Sequence, residues 1–283
     1  MKYDYVDIHT HVNIQAFKDD WKEVVARARE AGVAHINVGT QASTSRKAVE
    51  MAQEYEDGVY AIVGVHPVHT TKSYHDEKEL GPEHADGKGF TSRGEEFDAV
   101  AYRDLASDPK VVAIGECGLD YYRLDGETIE KQREVFIAQI QFANEIEKPL
   151  MLHVRPSTEE GAPAAYKDAF ELVKKHAKVK GNVHFFAGTV EEAKNFWDIG
   201  FSTSFTGVIT FTHDYDEPIK AAPKELIHAE TDAPYVTPVP HRGKRNEPAY
   251  VVEVIKRQAE LRGVSFEGWA AQLRENANKL FGI

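Results

Sequence analysis

Asp7-Ile8-His9-Thr10-His11 closes the first apolar segment of the chain, Tyr5 to His9, and its reading decides the fold. On an extended strand residues two apart project to the same side, so His9 and His11 aim both imidazoles at one point. Alone, the pair reads equally well as two surface histidines near a terminus. It gains weight because later apolar runs end in the same kind of residue. Those runs are Ala34 to Val38, Val59 to Val65, Val111 to Glu116, Pro149 to His153, Asn182 to Phe185, Phe201 to Phe205 and Leu226 to Thr231. Several are apolar at nearly every position, as expected of parallel strands covered on both faces.

Longer amphipathic segments separate these runs, which argues for repeated βα units. Ile129, Phe136, Ile140 and Ala143 keep to one helical stripe, and Val251, Val254, Ile255 and Leu261 repeat the pattern. Pro163 suits the first turn of a helix, and Gly181 and Gly200 suit the turns before strands. Eight strands alternating with helices predict an α/β fold of the (β/α)8 TIM-barrel type. At 283 residues the chain exceeds the roughly 250 typical of that fold by a modest insertion. One domain over 1–283 is the expectation, with the polar stretch from Thr70 to Glu96 as the insertion. A loop that long is either a lid or a surface excursion, and we read it as an excursion that leaves His69, His75 and His84 solvated.

The chain has 34 Lys and Arg against 46 Asp and Glu, a net charge of -12, so a phosphate-bearing substrate must be met by local positive groups. Cys117 is the single cysteine and cannot form an intrachain disulfide. The first residues lack a signal-peptide pattern, and no apolar run reaches the roughly 18 residues of a membrane helix. These features predict a reduced, cytoplasmic location with no membrane association and no obligate protein partner, the chain acting as a monomer.

In a parallel barrel the C-terminal strand ends share one rim, where catalytic residues of this fold are gathered. Read in order, those ends carry His9 and His11, then His66, Glu116, His153, His184 and Asp232. Imidazoles and carboxylates in that number exceed the three or four protein ligands one catalytic ion takes, which implies two divalent metals. Each residue has a blander reading: strand histidines are commonly satisfied core groups, and Asp232 before Ala233-Pro234 could cap a helix. Their shared placement outweighs those readings. His35, at the opposite rim, and His176, in a helix, read as structural. Cys117 faces away from its neighbour Glu116 and reads as core. Asp7 and Glu230 share strand parity with His9 and Asp232, so they are expected to point inward behind the ligands, or to form a buried pair supporting the barrel. His241-Arg242-Gly243-Lys244-Arg245 follows the last strand, where phosphate sites are frequent in this fold; the plain alternative is a solvated basic loop. Arg155 and His66 are placed to hold a phosphate oxygen, and Arg245 is expected to contact substrate.

The blocks Asp7-Ile8-His9-Thr10-His11, Gly64-Val65-His66-Pro67, Ile114-Gly115-Glu116-Cys117-Gly118-Leu119-Asp120-Tyr121, Leu152-His153-Val154-Arg155, Val183-His184-Phe185-Phe186-Ala187-Gly188-Thr189 and Glu230-Thr231-Asp232-Ala233-Pro234-Tyr235 resemble the signature blocks of the TatD family of metal-dependent deoxyribonucleases. Arg245-Asn246-Glu247-Pro248 resembles a further block. The resemblance runs nearly the full length in the family's order. It implies an amidohydrolase-superfamily barrel in which His9, His11 and Asp232 hold one ion, His153 and His184 hold the other, and Glu116 bridges them. The chain departs from the pattern at Phe185 and Ala187, at Val154, and in the length of the 70–96 insertion.

Phosphodiester cleavage explains such a set, since two ions stabilise both the attacking and the departing oxygen. Asp232 is assigned as general base and Glu116 as the bridging catalytic carboxylate. The expected activity is 3'-5' exonucleolytic trimming of single-stranded DNA or RNA ends, the polarity being implied by the resemblance alone. The ions could be Zn, Mn, Mg or Ni. A second reading makes the substrate a small ester, lactone or amide; a third, a non-catalytic metal-holding scaffold, would be marked by a lost ligand, and none is missing.

Overall fold

The computed structural model describes residues 3–72, 74–75, 90–91, 94–122 and 126–283. Eight parallel strands form one sheet in chain order: β1 (Tyr5–Thr10), β2 (Val33–Val38), β3 (Val59–Val63), β6 (Val111–Asp120), β7 (Leu150–Arg155), β8 (Gly181–Val183), β9 (Ser202–Phe205) and β10 (Ile227–Ala229). A small antiparallel pair, β4 (Tyr74–His75) and β5 (Phe90–Thr91), stands apart. The two edges of the large sheet meet beyond the strand ends. The Asp232 N–H donates to the His9 carbonyl at 2.9 Å and the His11 N–H to the Ala233 carbonyl at 2.8 Å, bringing the sheet nearly to a closed TIM barrel.

Helices α1 (Trp21–Glu30), α2 (Ala42–Gln53), α3 (Ala99–Ala106), α4 (Gly126–Glu145), α5 (Ala165–His176), α6 (Val190–Asp198), α7 (Asp216–Ala221), α8 (Val251–Arg262) and α9 (Phe266–Phe281) occur in the connections and after β10. The α4 stripe of Phe136, Ile140 and Ala143 is buried, as the period requires. Alternate strand residues serve two cores. Ala61, Leu152 and Phe205 belong with helix residues such as Val254 to one cluster, whereas Ile36, Ile62 and Met151 belong to a second, joined by Ala277, Phe281 and Ile283.

Strand positions follow the apolar pattern, but their ends shift. β6 continues past Glu116 to Asp120 and β7 continues to Arg155, because the two stay paired from Cys117↔Leu152 to Asp120↔Arg155. β8 and β10 stop short, at Val183 and Ala229, so the residues that follow leave the ladder and turn into the barrel mouth.

The ends of the expected insertion are stitched down. The Glu95 carboxylate accepts the Ala42 N–H at the start of α2 and the Tyr102 hydroxyl at 2.8 Å, and its N–H donates to the His69 carbonyl at 2.7 Å. His69 is buried rather than solvated, since Pro67–His69 forms a 3-10 turn against β6 and α4. His75 falls in β4, and His84 lies outside the described residues. Among the described residues no helix is long and apolar enough to cross a membrane.

Candidate metal centre

β1 pairs with β2 in register from Tyr5 to Asp7, then shifts before Thr10. Across that irregularity His9 and His11 present their Nε2 atoms to each other at 3.2 Å, both rings buried. His11 Nδ1–H donates to the Val38 carbonyl at 2.9 Å, which leaves the lone pair of the neutral ring on Nε2. Asp232 sits in the left-handed region at φ 53°, where its N–H bond to His9 holds it. Its Oδ1 lies 3.4 Å from His11 Nε2 and 3.8 Å from His9 Nε2. Glu116 Oε2 completes the group at 3.5 Å from His9 Nε2 and 3.6 Å from His11 Nε2.

The other oxygen of Glu116 faces a second group. Oε1 lies 2.8 Å from His184 Nε2, 2.9 Å from His153 Nδ1 and 3.3 Å from His66 Nε2, and the first two nitrogens are 3.3 Å apart. β6 and β7 approach closely enough beside this group that a side chain at Gly118, where φ is 141°, would lie 2.0 Å from the His153 carbonyl oxygen. His153 contacts Asp120 Oδ2 with its outer nitrogen, Nε2, at 2.9 Å. His184 Nδ1 lies 3.4 Å from Glu230 Oε1. Glu230 is itself fixed by the Ser204 hydroxyl at 2.6 Å and the Phe185 N–H at 2.7 Å. His66 Nδ1 accepts the Val68 N–H at 3.2 Å, so the neutral ring carries its proton on Nε2 and points an N–H into the site.

These groups fit divalent cations. Ligands held about 2.0 to 2.1 Å from a tetrahedral ion lie about 3.3 to 3.4 Å from one another. The donor atoms around each oxygen of Glu116 are spaced from 2.8 to 3.8 Å, bracketing that edge. The same crowding sets the direction in which each group's pKa is shifted. Burial pushes the Glu116 carboxyl up, but His66, His184 and His9 outweigh it and hold the group well below the usual carboxylate range. Burial pulls His184 down, while Glu116 and Glu230 drive it well above the ordinary imidazole value. His11 and His153 are likewise raised against burial, chiefly by Asp232 and by Asp120 with Glu116 respectively. His9 falls to about 3 through burial and the neighbouring charge of His184.

The expected partners are brought together unevenly. Arg155 lies at the end of β7 with its guanidinium over the Tyr122 ring at 3.9 Å. Arg245 is engaged elsewhere: it donates to both Asp20 oxygens and to the Ala16 carbonyl, and it stacks on Phe17. Its neighbours do similar work. Asn246 donates to the Thr231 and Tyr235 carbonyls on either side of Asp232, and Glu247 takes a bidentate bond from Arg27. The Arg245-Asn246-Glu247 block therefore braces the segment bearing Asp232. Asp7 points inward as expected but touches no ligand ring. Its carboxylate is fully buried behind the ligands, where it accepts the Thr231 N–H and hydroxyl and the His9 N–H. His35 is buried away from the cluster, His176 ends α5, and burial pushes the Cys117 thiol up.

Asp120 is the contact that sequence reasoning left without a role, although its parity with Glu116 along a continuous strand was a usable signal. The barrel and the imidazole–carboxylate cluster at its C-terminal rim define a metal-dependent hydrolase. The family described as TatD related DNase matches residues 6–282, and the chain belongs to that family. It is 36% identical to the uncharacterized metal-dependent hydrolase YabD of Bacillus subtilis, covering 98% of both chains. It is 33% identical to the 3'-5' ssDNA/RNA exonuclease TatD of Pantoea ananatis over 98% of this chain and 99% of that one. The crystal structure of YjjV, a TatD homolog from Escherichia coli K12, superposes with a TM-score of 0.80 at 25% identity, covering 100% of both chains.

Proposed function

We propose that this hydrolase is a two-metal phosphodiesterase that trims single-stranded DNA or RNA ends in the 3' to 5' direction. The observation that carries the reading is the division of the Glu116 carboxylate, one oxygen toward His9 and His11 and the other toward His153 and His184. One ion would be held by His9, His11, Asp232 and Glu116, the other by Glu116, His153 and His184. Zn, Mn, Mg and Ni all suit such ligands. Bound there, they would acidify a water and polarise a phosphoryl oxygen.

The protein's own groups supply the rest. Asp232 orients the attacking water and takes its proton as general base. Glu116 holds the two halves of the site in one geometry. The Nε2–H of His66 and the guanidinium of Arg155 bind non-bridging phosphate oxygens, the latter steadied by Tyr122. Arg245 supports substrate binding indirectly, by tying the loop after β10 to Asp20. A rim pocket receives a strand end more readily than a duplex, and the family relatives named as single-stranded exonucleases favour the same polarity. The enzyme acts as a cytoplasmic monomer, a setting with which its lone buried cysteine agrees.

Reconstitution with each divalent metal, then incubation with end-labelled single-stranded DNA beside p-nitrophenyl ester and phosphodiester substrates, tests this reading. A ladder shortening from the 3' end supports it. Ester cleavage without a ladder would transfer the same site to carboxylic ester chemistry.

A further inference from the structure

We propose that Asp120 is the positioning residue that makes His153 a ligand through Nδ1. The inference rests on the metal-centred reading above. The nitrogens that His9, His11 and His184 turn toward Glu116 are all Nε2 atoms, whereas His153 turns Nδ1. A neutral imidazole has one proton and one lone pair, so the nitrogen that ligates is decided by where the proton is held.

Asp120 Oδ2, 2.9 Å from His153 Nε2, can only accept from it when ionised, so the proton that a neutral ring keeps is held on Nε2, and the Nδ1 facing Glu116 is the nitrogen left to an ion. The carboxylate is not adventitiously near. It is 3% exposed, and its Oδ1 accepts the Tyr122 N–H at 3.0 Å. Gln132 of α4 grips the Asp120 backbone on both sides, its carbonyl accepting the Asp120 N–H at 2.8 Å and its amide donating to the Asp120 carbonyl at 2.9 Å. Pairing of Asp120 with Arg155 keeps β6 and β7 in register through His153.

The two halves of the site are consequently unlike. His11 is backed by a neutral carbonyl, that of Val38, while His153 is backed by a carboxylate, which raises the basicity of its ligating nitrogen and fixes its ring. Loss of the Asp120 carboxylate should therefore weaken one metal equivalent and spare the other.

The test uses the full chain with Asp120→Asn and Asp120→Ala. Long-range 1H–15N NMR of the metal-free protein, at a pH high enough that the His153 ring has lost its second proton, reads the tautomer directly, and equilibrium dialysis against Mn(II) counts bound ions. Wild type is expected to show the proton on Nε2. Asp120→Asn, whose amide oxygen can still accept, should keep that tautomer and bind the affected equivalent more weakly. Asp120→Ala should lose the tautomer preference and weaken that equivalent about 10- to 100-fold, leaving the other within twofold. An Asp120→Ala protein that retains the Nε2–H form and both affinities would overturn the proposal. If the alanine variant misfolds by circular dichroism, the wild-type tautomer and the asparagine variant still decide. A wild-type protein with two ions and the expected tautomer but no nuclease activity would defeat the functional reading and leave this one standing.

Discussion

Glu116→Gln isolates the claim that one carboxylate serves two cations. The substitution preserves volume, so no cavity contributes, and it removes one buried charge whose oxygens lie 2.8 to 3.6 Å from the surrounding imidazole nitrogens. Two unit charges 4 Å apart interact by about 4 kcal/mol at an effective dielectric constant near 20. With about 1.4 kcal/mol per tenfold, each ion should bind roughly a thousandfold more weakly. Because both oxygens are used, both equivalents should weaken together. The metal-free fold should also soften. A carboxyl held below its ordinary value contributes stability above the unfolded pKa, lost as pH falls through the folded one, and the glutamine lacks that contribution at neutral pH. Equilibrium dialysis with Zn or Mn, read by elemental mass spectrometry and controlled by a circular-dichroism melt, measures the effect. A folded variant binding both ions within tenfold of wild type would refute the reasoning, and loss of one ion alone would remove the bridge.

Asp232→Asn should cut turnover by about 10²- to 10⁴-fold with metal still bound, and near wild-type turnover with full metal content would remove the general-base role. Metal uptake should release protons and strengthen as pH rises above the ordinary imidazole value of about 6.5, because His11, His153 and His184 are raised above it and hold protons that an ion must displace. The same raised groups stabilise the metal-free fold fully below the unfolded imidazole pKa and lose that effect as pH rises through the folded values; pH-independent uptake in a dye-monitored titration would contradict the assignment. Asn246→Ala should cost about 1 to 3 kcal/mol in urea unfolding, since it leaves the Thr231 and Tyr235 carbonyls without their donor. Activity should fall with it as the Asp232 segment loosens, and an unchanged midpoint would show that the brace is dispensable.

The strands and the rim set were legible because both follow local periodicities: apolar runs locate β1, β2 and β7, and His9, His11, Glu116 and His153 lie within or just past β1, β6 and β7. What stayed hidden depends on contacts distant in the chain or on breaks in the pattern. Asp7 shares parity with His9, but its carboxylate partner is Thr231, 224 residues away in sequence. Asp120 shares parity with Glu116, a signal that counts only because β6 continues alongside β7 past Glu116. Arg245 looked like a phosphate contact because it follows the last strand in a basic loop, yet its partner Asp20 is 225 residues away in sequence. His69, set among polar residues, gave no sign that the 3-10 turn after His66 would bury it.

Anomalous diffraction from crystals grown with Mn or Zn tests the two-ion centre most directly. The account predicts two peaks flanking Glu116, one among His9, His11 and Asp232 and the other between His153 and His184. A single peak, or density bound by any other residues, would contradict it.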